Sequence, residues 1–178
     1  IISKIVRQTL QYEFYRKNYS SWHDLAMKMV EYIENCHHSK MQPQFNQLPK
    51  PYQESCQPLS KNWNTLVEGT TKLIGVSRKL GGPYAVHPTR MAIALSQILT
   101  EDQNKVDTID CAILHDYLEE GDGRYPAAFE QAKDNLDGLS QDVLRSMVLL
   151  SEPEISYEDI ELERRMAEYL GYFYQLKF

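Results

Sequence analysis

Apolar residues recur every three or four positions along most of this chain, a spacing that lays them on one face of a helix. "IISKIVRQTLQYEFYRKN" places Ile2, Ile5, Val6, Leu10 and Phe14 on such a stripe. "SSWHDLAMKMVEYIENC" follows, with Leu25, Met29 and Ile33 on one face and Ser20 or Ser21 as an N-cap. The two stretches predict helix through residue 38. Residues 41–58, "MQPQFNQLPKPYQESCQP", then break the pattern with four prolines and five glutamines. Proline lacks a backbone donor and restricts the residue before it, so this stretch predicts an extended connector. The expected organisation is a helical N-terminal extension (1–40), a proline-rich connector (41–58) and a main domain (59–178).

Within the main domain the helical spacing returns. "SKNWNTLVEGTTKLIGVSR" carries Trp63, Leu66, Val67, Leu73 and Ile74. "PTRMAIALSQIL" carries Met91, Leu95 and Ile98, with Pro88 at a first-turn position. "VDTIDCAILHDYLEE" carries Ile109, Ala112 and Ile113 into a polar cluster. Further helices are predicted over 125–135 and 139–150. A last one closes the chain, started by a capping-box-like Ser156 and Asp159. No stretch alternates as a strand does, and no repeat is present, so the predicted class is all-α.

Composition sharpens this picture in three ways. The net charge of −6 lacks the basic face of a nucleic-acid coat, yet it permits a small anionic ligand wherever a local basic cluster or a metal supplies attraction. No apolar run approaches the ~20 residues of a membrane span, and no secretory signal is visible. The chain starts at Ile1 rather than Met, so the expectation is a trimmed sequence, with a removed signal left open. Cys36, Cys56 and Cys111 are an odd set with no CxxC, which predicts free thiols and a cytoplasmic setting.

Two segments carry candidate chemistry. "RKLGGPYAVHP" (78–88) crowds Arg78, Lys79, Gly81, Gly82, Pro83, Tyr84, His87 and Pro88 together with no helix or strand periodicity. "AILHDYLEEGDG" sets His115 and Asp116 directly after an apolar run. On a helix Glu119 would share a face with both, and Glu120 with Asp116. An apolar helix ending in such a cluster is costly to bury uncompensated, and a divalent cation is one compensation, because neutral imidazole and carboxylate are standard ligands. A solvated helix end is the plain alternative. His23–Asp24 is a second His-Asp pair, but it lies near an expected helix start and lacks trailing carboxylates, so it reads as structural. His37 and His38 read as surface histidines beside the connector.

The order "R-K-x-G-x-P-Y-x-x-H-P", a helix, then "A-x-L-H-D-x-x-E-E" closely resembles the HD-domain phosphohydrolases. Within them it is most similar to the RelA/SpoT-type alarmone hydrolases, which remove pyrophosphate from the 3′ position of (p)ppGpp. The resemblance covers about residues 60–150 and is sharp only at the two quoted segments. It implies an all-α HD-domain helical bundle, and a divalent metal (manganese) held by His87, His115 and Asp116. It implies that Arg78 packs on a guanine base, that Lys79 and Arg90 supply local positive charge, and that Tyr84 contacts the nucleotide. It also implies that Glu119 and Glu120 position and deprotonate the attacking water.

Three positions depart from the family pattern. Glu120 stands where the family has Asp, Leu80 where a small hydroxyl residue is usual, and Gly121 where a Thr is usual. The family's fourth ligand, an Asp in a "K-x-A-D-R-x-x-N"-like helix, has no counterpart in these 178 residues; by spacing it would follow Phe178. The expected function is therefore a metal-dependent phosphohydrolase acting on a guanosine polyphosphate or related nucleotide. The alternatives are an HD hydrolase with another nucleotide substrate, and a degenerate HD module that binds a nucleotide or protein partner without turnover.

Overall fold

Trp22, Ala26, Met29, Ile33 and Cys36 follow one another at helical spacing, and all are buried. They form the inner face of the longest element in the computed structural model. The structure describes residues 2–78, 81–99, 105–117, 136 and 138–150, with side chains within residues 14–147. Helix α1 (Ile2–His38) is continuous, with no break at the expected cap. Ser21 Oγ instead donates to the Asn18 carbonyl at 2.8 Å, and Asn18 Nδ2 to the Phe14 carbonyl at 2.8 Å. Polar side chains bonded back to the preceding turn are compatible with helix interior.

The stretch expected to be an extended connector is helical in short pieces. A 3₁₀ turn (Phe45–Gln47) leads to α2 (Lys50–Ser55) and a second 3₁₀ turn (Gln57–Asn62). Pro51 and Pro58 sit at first-turn positions, where the missing N–H has no helical partner to lose and the fixed φ suits a helix. Those prolines start helices here. Side-chain bonds tie the segment down: Trp63 Nε1 donates to the Pro43 carbonyl at 3.2 Å, and Tyr32 Oη donates to the Gln44 carbonyl at 3.2 Å.

Helices α3 (Trp63–Lys72), α4 (Val86–Ile98), α5 (Lys105–Leu114) and α6 (Gln141–Leu150) complete the described elements. Helix α6 lies within the expected 139–150 helix; the helices expected over 125–135 and after Ser156 fall outside the described residues. The class is all-α, and the one extended pairing among the described residues is an isolated bridge, Ser77 to Pro83. Helix α4 packs between α1 and α5, which explains its burial on several sides: Val86, Thr89, Ile93 and Ser96 are buried, while the expected face, Met91, Leu95 and Ile98, is only half-buried. Helix α5 touches α3, α4 and α6. One hydrophobic cluster runs from Trp22 of α1 through Leu59 and Trp63 to Ile93, Ile113 and Met147. Described α1 side chains thus belong to the same core as the region from residue 59 onward.

No helix among the described residues is long and apolar enough to cross a membrane.

Candidate metal centre

Two chain segments meet between α4 and the end of α5. The first is the glycine-rich stretch. After α3 the chain turns at Leu73–Gly75, pairs Ser77 with Pro83, and reverses through Gly81 and Gly82, both at positive φ (89° and 84°). That backbone region is open to glycine and disfavoured for other L-residues. The reversal is closed by Arg78 N–H donating to the Gly82 carbonyl (3.1 Å) and Tyr84 N–H to the Val76 carbonyl (2.9 Å). It delivers Tyr84 and His87 to the start of α4, with His87 N–H donating to the Tyr84 carbonyl at 2.9 Å. Helix α4 begins at Val86, so His87 lies inside its first turn. Pro88 follows it there, still among the four residues whose N–H groups have no helical partner.

The second segment is the end of α5. His115, Asp116 and Tyr117 form a turn just after Leu114, the last residue of the helix, where the sequence led us to expect continued helix. Tyr117 anchors it: its N–H donates to the Leu114 carbonyl at 3.0 Å, and its hydroxyl donates to Glu68 Oε1 on α3 at 3.0 Å. Upstream, Asn62 Nδ2 donates to buried Asp110 Oδ1 at 2.8 Å and to the Val106 carbonyl at 2.9 Å, fixing α5 against the second 3₁₀ turn.

The result brings His87, His115 and Asp116 together, with one ligand atom from each lying within 4.8 Å of the others. The two imidazoles meet edge to face, centroids 5.2 Å apart. His115 Nε2 lies 3.1 Å from Asp116 Oδ1, and His87 Nε2 lies 3.9 Å from Asp116 Oδ2. Asp116 Oδ2 is buried and has no hydrogen-bond partner. A buried carboxylate oxygen without a donor is expensive, and a cation between it and the two imidazoles would satisfy it. The Asp116 side chain also receives a hydrogen bond from the Tyr84 side chain.

His115 is oriented as a ligand. Its Nδ1 lies 2.8 Å from the Ala112 carbonyl, which can only accept, so Nδ1 carries a proton and Nε2 faces the carboxylate. An imidazole whose second nitrogen donates to a backbone carbonyl is the usual arrangement behind a metal-bound histidine. Burial holds His87 below the ordinary histidine value, helped by His115, Arg78 and Arg90 against the opposing pull of Asp116. Burial pushes Asp116 up, but the hydrogen bond and charge of His115, with His87 and Tyr84, bring it below the usual carboxylate value. A neutral imidazole and an ionised carboxylate are the forms that bind a cation.

The other site expectations divide. Tyr84 reaches the centre, and its side chain is spent on Asp116. Arg78 is exposed beside the glycine turn. Lys79, Leu80, Glu119, Glu120 and Gly121 lie outside the described residues. Arg90, expected to lend charge to a ligand, lies instead on the Nδ1 side of His87: its Nη2 is 3.5 Å from His87 Nδ1 and its Nη1 3.4 Å from His23 Nδ1. Its guanidinium also stands over the Tyr19 ring, 4.5 Å from the centroid. Among the described residues His23 is not in the ligand group, but it touches the site at one remove through Arg90. Reading residues by spacing could not find this link, because the partners are 67 residues apart.

No family model matches the chain, and neither the curated proteins nor the solved structures contain a match to it.

Proposed function

We propose that this chain is an HD-type metal-dependent phosphohydrolase whose substrate is a guanosine polyphosphate of the (p)ppGpp kind or a related nucleotide. The observation that carries the proposal is the convergence of His87, His115 and Asp116 around one unsatisfied buried carboxylate oxygen. In this reading the three side chains hold a divalent cation, most suitably manganese for a mixed nitrogen and oxygen set. The cation would supply positive charge for phosphate oxygens and would activate water for attack.

The chain's own residues supply the rest. Asp116 accepts from Tyr84, which helps fix its carboxylate. Arg78, exposed at the mouth of the glycine turn, offers a flat guanidinium for stacking on a base. Lys79 beside it adds charge for the phosphates. Glu119 and Glu120 follow Asp116 closely enough in sequence to orient water and take its proton. The partner is a small nucleotide, with no role for a nucleic-acid coat or a membrane. Free Cys36, Cys56 and Cys111 fit a cytoplasmic setting. Burial pushes the Cys56 thiol up to about 12, so that thiol is inert.

Metal analysis together with hydrolysis of a panel of guanosine and adenosine polyphosphates tests the proposal. Stoichiometric metal and release of pyrophosphate or phosphate are expected. Glu119→Gln should lower kcat with metal retained, and Arg78→Ala should raise KM more than it lowers kcat. Glu120→Asp should raise alarmone hydrolysis if Glu120 is a drifted catalytic residue. A protein that carries metal and hydrolyses none of the panel would favour the second reading, a nucleotide- or protein-binding HD module without turnover. The Arg90 cation beside His87 is the observation on that side.

A further inference from the structure

The two histidines of the centre are backed in opposite ways. Behind His115 stands an acceptor, the Ala112 carbonyl. Behind His87 stands Arg90, whose guanidinium has donors and no acceptor. Contact between Arg90 Nη2 and His87 Nδ1 therefore requires a bare Nδ1, which puts the proton of the neutral ring on Nε2. That is the nitrogen facing Asp116 Oδ2 at 3.9 Å, and the one a cation would need. The same logic applies at His23, whose Nδ1 accepts from Arg90 Nη1 at 3.4 Å.

Arg90 is not a surface residue that could swing aside. It is 6 % exposed, its Nε is buried without a partner, and no carboxylate pairs with it among the described residues. Tyr19 and His23, one turn apart on α1, hold its guanidinium by ring contact and hydrogen bond. A fixed, buried positive charge next to a ligand imidazole repels a divalent cation more strongly than it would in water.

We infer that Arg90 is a positioning residue which, held by Tyr19 and His23 of α1, selects the His87 tautomer that opposes metal binding and so keeps the affinity of the centre low. This rests on the reading of His87, His115 and Asp116 as metal ligands. It makes α1 part of the control of the site, because Tyr19 and His23 hold the guanidinium in place behind His87.

The test uses the full chain and Mn²⁺ alone. Arg90→Gln replaces the cation with a neutral amide whose oxygen can accept from a protonated Nδ1. Because partners behind a ligand histidine typically change metal affinity about 10- to 100-fold, Arg90→Gln should bind Mn²⁺ at least about tenfold more tightly in calorimetric titration. In the metal-free wild type, long-range ¹H–¹⁵N correlation spectra should show the His87 proton on Nε2 and a proton on His115 Nδ1. In Arg90→Gln the His87 proton should move to Nδ1. The wild-type spectrum decides the tautomer even where the variant fails to fold. A wild-type His87 protonated on Nδ1, or a variant that binds Mn²⁺ no better than wild type, overturns this inference while leaving the metal site standing. Absence of Mn²⁺ binding in both proteins overturns the site reading and this inference with it.

Discussion

One imidazole in this protein, that of His115, faces an acceptor at each ring nitrogen: the Ala112 carbonyl at 2.8 Å and Asp116 Oδ1 at 3.1 Å. A neutral ring has a single N–H, which goes to the Ala112 carbonyl, so Nε2 presents a lone pair beside a carboxylate and a cation between them suits both. His115→Ala should therefore lose bound metal by elemental analysis while its far-ultraviolet circular dichroism stays helical. Retention of stoichiometric metal would remove His115 from the ligand set.

Acid sensitivity belongs to the same scale. His87 is held below its ordinary value of 6.5 by burial, so the unfolded chain takes up a proton that the folded site resists. Stability of the metal-free protein therefore declines as pH falls below about 6.5. Asp116 lies below its ordinary 3.8: burial acts upward, but His115 leads the groups that outweigh it. Its contribution is present above about 3.8 and is lost as pH falls further, through the folded-state value. Both groups make acid the destabilising direction. Urea unfolding at a series of pH values, compared with His87→Gln, should show a smaller loss below about pH 6.5 in the variant. Identical pH profiles would show that His87 titrates alike in the folded and unfolded chain.

Among elements, the approach of α3 to α5 sets where the His115–Tyr117 turn sits. Gly69 makes that approach possible: a Cβ there would lie 2.9 Å from Ile113 Cγ2 and 3.6 Å from Leu114 Cδ2. Ile113 and Leu114 are fully buried, and they directly precede His115 and Asp116. Gly69→Ala gains about 1 kcal/mol of helix propensity and loses about 1–3 kcal/mol through overpacking. The expected net effect is a destabilisation of about 1 kcal/mol, read as a lower Tm, with weaker metal binding because α5 must move. A raised Tm would mean that Ile113 yields without cost.

Legibility also varies element by element. His87, His115 and Asp116 could be picked out together only through the family resemblance carried by two short, ordered segments; His115 and Asp116 alone read equally well as a solvated helix end. Helices α3 to α6 were visible as apolar spacing. The 41–58 stretch was misread because proline favours both extended chain and the first turn of a helix, and only tertiary partners such as Trp63 Nε1 on the Pro43 carbonyl decide between them. Continuous α1 was misread for a related reason: a serine can cap a helix or bond back within one. The Tyr19–His23–Arg90 contact leaves no local pattern at all.

At the scale of the whole molecule, the question is whether residues before the prolines form an appendage or part of one folding unit. Met29, Val30 and Ile33 are fully buried, and their neighbours in the cluster include Leu59, Trp63 and Ile93. Met29 Sδ lies 3.1 Å from Cys56 Sγ, and Tyr32 and Phe45 pack near Trp63. Among the described elements, helix α1 also makes the most extensive contact that α4 has. Removing α1 would open one side of α4, the helix that carries His87 and Arg90. Truncating a single buried side chain such as Met29 or Ile33 to Ala costs about 2–5 kcal/mol, set against a total stability of about 5–15 kcal/mol for an ordinary domain. A chain beginning at Leu59 loses several such contacts at once. It should show no cooperative unfolding transition and no measurable Mn²⁺ affinity, and Ile33→Ala should lower the urea midpoint of the full chain with the slope unchanged. His23→Ala, in contrast, removes a half-buried ring outside the ligand group and should retain both fold and metal. Cooperative unfolding of the chain from Leu59, with its metal bound, would show that α1 is an addition to a self-sufficient domain.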